Sequence, residues 1–167
     1  EQFDVFDNND LKIGILGMGY IGSYIAKELR KMDYRIHAFK KTKPIKKNNF
    51  KVYFLKKHLK KFISTSDIIV NILPKTLETK NFVNRNFLNS MKKKSLLINI
   101  GRGDTVDENA LIIHSRKNEN FMAILDVFKS EPLKKNHFFW KQKNIVITPH
   151  IAGITNIESA VKEVYNI

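Results

Sequence analysis

Lys12-Ile13-Gly14-Ile15-Leu16-Gly17-Met18-Gly19-Tyr20-Ile21-Gly22-Ser23 is an apolar run that breaks into glycines and resumes as an amphipathic segment. The reading of this stretch decides the fold. A buried strand ending at Leu16 leads into a turn. Gly17 permits the reversal, Gly19 lets backbone approach a pyrophosphate, and Gly22 lets the next helix pack closely on the strand. Free N–H groups at the helix start, around Tyr20 and Ile21, would face the phosphates. Ile21, Ile25, Leu29 and Met32 then share one helical face, which predicts a helix over residues 20–32. Glycines at this spacing also arise by chance, so the flanking strand and helix are what point to a dinucleotide site.

Outward from this turn, short β-branched apolar runs alternate with helical stretches. Strands are expected at Lys12–Leu16, Arg35–Phe39, Asp67–Leu73, Ser95–Ile100, Phe121–Val127 and Asn144–Thr148, with a weaker one at Lys51–Phe54. Helices are expected near 20–32, 55–64, 84–91, 107–117 and 155–165. Such alternation argues for an α/β fold, a Rossmann-type doubly wound parallel sheet with helices on both faces. Runs such as Ile68-Ile69-Val70 and Leu96-Leu97-Ile98 suit central strands covered on both sides. Residues 11–154 form this unit, after a lead-in of residues 1–10.

Composition bounds the partners. The 167 residues, 43% of them hydrophobic, suffice for one sizeable core. No apolar run is long enough to span a membrane, no cysteine is present, and a cytoplasmic protein is expected. The net charge of +14 raises the question of nucleic acid. Its dense runs, Lys40 to Lys47 and Lys56 to Lys61, lack interleaved aromatics, and no zinc-finger or basic-zipper spacing is present. Nucleic acid is therefore not expected as a partner, and no metal is called for. The chain opens on Glu1 rather than methionine, which suits a fragment.

Ligands of such sheets bind at the carboxyl ends of the strands. After the second strand stand Lys40, Lys41, Thr42 and Lys43, where an NAD-binding protein would place an acid. Ammonium groups and a hydroxyl suit a 2′-phosphate instead, so NADP is expected over NAD. After the fourth apolar run comes Leu73-Pro74, with Thr79 beyond. After the next comes Ile100-Gly101-Arg102-Gly103, whose arginine is placed to clamp a carboxylate bidentately. Asp126 and Glu131-Pro132 follow the sixth strand, and Thr148-Pro149-His150 the seventh. Arg102, Glu131 and His150 would suffice for reversible ketone reduction if they converged. The other histidines, His37, His58, His114 and His137, lack motif partners and are expected to be structural or solvated. Phe138-Phe139-Trp140 is expected to pack.

Taken together, these motifs resemble the nucleotide-binding domain of the D-2-hydroxyacid dehydrogenase family, from about Leu11 to Ile154. They look most like its NADPH-preferring glyoxylate/hydroxypyruvate reductases. The resemblance implies that His150 is the acid/base and Glu131 its orienting partner. It implies that Arg102 binds the substrate carboxylate and polarises the carbonyl, and that Asp126 bonds the nicotinamide carboxamide. Gly17, Gly19, Tyr20, Ile21, Gly22, Lys40–Lys43, Leu73, Pro74, Thr79, Ile100, Gly101, Arg102 and His150 are implied to line the cofactor. A hydrogen bond to Glu131 would favour the charged imidazolium and fix its orientation. A homodimer and a second domain are implied as well. Residues 155–167 are expected to lead towards that domain, without which half the substrate site is missing. Lys94 and Asp104-Thr105 depart from the family pattern, in loops. The alternatives are an NAD-dependent relative of the phosphoglycerate or D-lactate type, or a noncatalytic, corepressor-like nucleotide-binding module.

Overall fold

The computed structural model describes residues 7–44 and 49–153. The helix expected at 155–165 lies outside them, as does much of the loop after Pro44. Seven parallel strands form one sheet in the order β3-β2-β1-β4-β5-β6-β7: β1 (Lys12–Leu16), β2 (Arg35–Phe39), β3 (Lys51–Tyr53), β4 (Ile68–Asn71), β5 (Ser95–Asn99), β6 (Phe121–Leu125) and β7 (Ile145–Ile147). The chain winds outward from β1 to β3, then returns to place β4 on the other side of β1. That reversal opens a crevice at the carboxyl ends of β1 and β4. Among the described residues, no helix is long and apolar enough to cross a membrane.

Alternate residues of the strands feed two apolar layers. On one face Ile13, Ile15, Ile36, Ala38 and Val70 pack with Ala26 of helix α1 (Tyr20–Lys31). On the other, Leu16, Phe39, Ile69, Leu97 and Leu125 meet three helices: α2 (Leu59–Ser64), α3 (Arg85–Asn89) and α4 (Glu108–Lys117). These contribute Phe62, Leu88 and Leu111, all fully buried. A side chain of that size contributes roughly 1.5–3 kcal/mol when buried.

The packed stripe of α1 differs from the expected one. Ile21 and Met32 are more than half exposed, and the buried positions are Gly22 and Ala26, flanked by the partly buried Ile25 and Leu29. Small residues win because the helix sits close to β1: a Cβ at Gly22 would stand 2.1 Å from the Gly17 carbonyl oxygen. Proximity, rather than the largest apolar side chains, selects the face.

Strand ends fall short of the apolar runs for a common reason. At the end of β4, Asn71 turns its buried side chain back so that Oδ1 accepts the Leu73 N–H at 3.2 Å. Its Nδ2 donates to Asn99 Oδ1 at 3.0 Å and to Thr105 Oγ1 at 2.7 Å. Asn99 ends β5 similarly, accepting the Gly101 N–H at 3.3 Å. Such side chains satisfy backbone donors that the ladder would otherwise take. The helix expected at 55–64 begins as a 3-10 turn, Lys56–His58, and becomes α-helical only from Leu59. No side chain caps it, and the lysines at its start oppose the helix dipole.

Candidate active site

At the crevice, Gly17 has φ 108°, a region L side chains rarely adopt. Gly19 caps α1, no side chain bonds its first turn, and a Cβ at Gly19 would meet nothing within 4 Å. The first amides of α1, with the exposed Tyr20 and Ile21 beside them, therefore border open space. This arrangement fits a pyrophosphate, which needs N–H donors and close backbone approach.

Beside it lies a slot of about 250 Å³ with apolar walls from Phe39, Phe54, Leu73 and Phe82. Its rim carries Lys40, Lys41, Lys56, Glu78 and Thr79. Thr79 is held in place by donating its hydroxyl to the Pro74 carbonyl. Lys41 Nζ is paired with Glu78, at 2.6 Å, across the slot. Thr42 and Lys43 are exposed beyond it. Sequence reasoning missed Lys56 and Glu78. Lys56 is hidden in a lysine-rich run, and Glu78 stands 37 residues from its partner.

Across the crevice, the loop after β5 holds Ile100, Gly101 and Arg102. Gly101 is wedged against the Leu73 carbonyl, 2.7 Å from where its Cβ would lie. Arg102 is exposed, its Nη1 donating to the Gly101 carbonyl at 2.7 Å. Gly103 packs this loop against the next one: a Cβ there would fall 1.9 Å from the Phe128 carbonyl carbon. Only a residue without a side chain lets these backbones touch.

The Phe128 amide in turn donates to Glu131 Oε1 at 2.9 Å, and Glu131 Oε2 meets His150 Nδ1 at 2.7 Å. The structure thus brings together the pair expected from sequence, with Arg102 near enough for its charge to act on Glu131. The Phe128 amide, above all, holds the Glu131 carboxyl below the usual range. The His150 hydrogen bond, the His150 charge and the Arg102 charge assist it against partial burial. An apolar cleft lined by Phe128, Leu133, Trp140 and Pro149 adjoins the pair. Of the aromatic triplet, Phe139 packs in the core, whereas Phe138 and Trp140 stay about half exposed.

Asp126 is almost fully buried, and its carboxylate accepts from the Thr148 hydroxyl and the Ile151 and Ala152 amides. Burial pushes its pKa up, but these donors outweigh burial and hold it below the ordinary value. The remaining histidines sit elsewhere. His37 is buried, His114 lies edge-on to Phe121, and His137 stands 3.7 Å from Glu108. Among the described residues, no group of three or more His, Asp or Glu is placed to hold a metal ion.

Comparison with known proteins agrees with this geometry. Residues 1–152 match the family described as D-isomer specific 2-hydroxyacid dehydrogenase, NAD binding domain. Glyoxylate/hydroxypyruvate reductase A of Photorhabdus laumondii is 35% identical over 155 residues, covering 93% of this chain and 49% of that protein. A D-isomer specific 2-hydroxyacid dehydrogenase from Xanthobacter autotrophicus, solved with NADPH and MES, superposes with TM-score 0.93 at 29% identity. The match covers 99% of this chain and 68% of that one. The NADPH-dependent glyoxylate/hydroxypyruvate reductase of Sinorhizobium meliloti, solved with NADP and sulfate, gives TM-score 0.90 at 25% identity, covering 99% of this chain and 54% of that one. The chain spans about half the length of the curated relatives it matches. It belongs to the D-isomer specific 2-hydroxyacid dehydrogenase family and carries that family's NAD-binding domain.

Proposed function

We propose that this chain is the cofactor-binding part of an enzyme that reduces a small 2-oxoacid, glyoxylate or hydroxypyruvate, to the 2-hydroxyacid with NADPH. The observation that carries this reading is the His150–Glu131 pair at 2.7 Å, on the same sheet edge as the glycine turn. NADPH, when bound, supplies the hydride. Protonated His150 gives its proton to the oxygen of the carbonyl being reduced. Glu131 accepts from Nδ1 and thereby leaves Nε2 as the nitrogen for the substrate. Its lowered pKa keeps it an anionic acceptor. Arg102 exchanges the Gly101 carbonyl for the substrate carboxylate and stabilises charge on the oxygen.

For the cofactor, the amides of α1 beside Gly17, Gly19, Tyr20, Ile21 and Gly22 hold the pyrophosphate. The slot between Leu73 and Phe39 takes the adenine. Thr79 stands at its rim, and Pro74, Ile100 and Gly101 border the cofactor farther along the strand ends. Asp126 Oδ2 accepts a single N–H, so it keeps a lone pair for the nicotinamide carboxamide. Lys40, Lys41, Thr42 and Lys43 receive the 2′-phosphate, with Lys41 leaving Glu78 to do so. The names of the relatives above, and the NADPH or NADP in two of their structures, support the substrate class and cofactor.

The Lys41→Ala, Lys43→Ala double variant is expected to weaken NADPH binding about tenfold and NADH binding less than about twofold, measured by nucleotide fluorescence. Equal losses would show the loop to be merely solvated. The activity itself is tested by expressing the complete reading frame and following NADPH and NADH oxidation with glyoxylate and hydroxypyruvate. Tight cofactor binding without turnover would leave a noncatalytic module. Preference for NADH would reassign the cofactor. The same reading takes residues 11–154 as the cofactor domain, 1–10 as its lead-in and 155–167 as the passage to a substrate domain. It takes the enzyme to be a cytoplasmic homodimer, which light scattering of the complete protein checks for assembly.

A further inference from the structure

We infer that Asp126 is a positioning residue for His150: its buried carboxylate clamps the 148–152 loop from both sides and sets the imidazole opposite Glu131. The kinetic part of this inference rests on the reading of His150 as the acid/base.

His150 has φ 54°, a left-handed conformation uncommon for a residue with a side chain. Such a conformation persists only where its surroundings over-determine it. The Thr148 hydroxyl precedes it and donates to Asp126 Oδ1. The Ile151 amide follows it and donates to the same oxygen at 3.0 Å, and the Ala152 amide donates to Oδ2 at 2.9 Å. Thr148 N also donates to the Leu125 carbonyl at 3.0 Å, so the loop's entry is tied to the strand that Asp126 follows. The residues on either side of His150 are thus bonded to one carboxylate, and the backbone between them has little room to relax.

The same segment fixes the partner. Two residues after Asp126, the Phe128 amide holds Glu131 Oε1 at 2.9 Å, and Glu131 Oε2 reaches His150. Residues 126–131 therefore hold both members of the pair, one through the loop and one directly. A residue needed only to touch a cofactor gains nothing from being 2% exposed with both oxygens engaged by one neighbouring loop. Burying a carboxylate is costly, and these donors offset the cost.

The test uses the complete protein. Thr148→Val leaves Asp126 and its free lone pair in place while removing one bond of the clamp. Expected are amide hydrogen exchange at Ile151 and Ala152 at least about tenfold faster, kcat about tenfold lower, and an NADPH Kd within about threefold of the parent. Thr148→Ser, which restores the hydroxyl, should recover most of kcat. Asp126→Asn places an NH2 against backbone donors and is expected to lower kcat about 100-fold, with a pH profile altered from the parent's. Unchanged exchange at Ile151 and Ala152 in the Thr148→Val protein overturns the clamp. So does a loss confined to NADPH affinity with kcat kept, which would make Asp126 a cofactor contact only. Should the parent protein turn over neither 2-oxoacid, the functional reading fails, and the exchange rates still decide the clamp.

Discussion

His150→Gln is expected to lower kcat of the proposed 2-oxoacid reduction, measured on the complete protein, by about 10²–10⁴-fold while leaving NADPH affinity within about threefold. Glutamine keeps a side chain of similar reach and can still bond Glu131, so the geometry of the 148–152 loop survives. What it lacks is a proton to give at working pH. On the proposed reading, the developing alkoxide then meets the charge of Arg102, which offers stabilisation without proton transfer. Glu131→Gln should also lower kcat, because the glutamine NH2 would take the place of Oε2 and leave the imidazolium Nδ1–H without an acceptor. The Phe128 amide would still hold the side-chain oxygen of the substituted glutamine, as it holds Glu131 Oε1 at 2.9 Å. Steady-state kcat and nucleotide fluorescence on the same preparations separate the two effects. A His150→Gln protein retaining more than about a tenth of parental kcat would remove His150 from the chemistry.

Much of this site is legible in the sequence because its residues follow a rule of position. Glycine turn, arginine, glutamate and histidine each come within a few residues after an apolar run, and parallel strands carry all such ends to one edge. The strands themselves are legible because a run buried on both faces leaves little doubt about its period. What escapes is what depends on contacts between distant segments. Glu78 faces Lys41 because the loop after β4 folds over the end of β2, and nothing in Lys75-Thr76-Leu77-Glu78 marks that destination. Gly103 reads as a residue flanking Arg102, yet its stronger constraint is the Phe128 backbone against which it lies. Asp126 reads as a strand-end acid, while its three donors stand more than twenty residues away. Helix α1 shows the same limit within one element. Its apolar residues predict one packed face, and the close approach of Gly22 to Gly17 rotates it towards Gly22 and Ala26.

Between pH 7 and pH 4 the protein is expected to lose about 3 kcal/mol of stability through His37 alone. His37 lies in β2, 1% exposed, among Tyr53 and Phe62. Its Nε2 stands 2.7 Å from the Ser66 hydroxyl, and that hydroxyl donates to the Phe62 carbonyl at 2.8 Å. With the hydroxyl proton so used, Nε2 must be the donor and Nδ1 the unprotonated nitrogen. Nδ1 has no partner, so protonating it would bury a cation and an unmatched N–H together. Burial first, then the charges of Lys12, Lys92 and Lys51 against the opposing pull of Asp67, lower its pKa from 6.5 to about 4. The unfolded chain therefore binds the proton more readily than the folded one. The stability from keeping His37 neutral is complete above pH 6.5 and drains away as pH falls towards 4. Leucine at position 37 removes the titration without orphaning Ser66, whose hydroxyl keeps the Phe62 carbonyl. Urea unfolding across this range should give a parental curve that falls about 3 kcal/mol further than that of His37→Leu. Parallel curves would mean that the folded protein accepts the charge, through water reaching Nδ1 or through a shift of the ring.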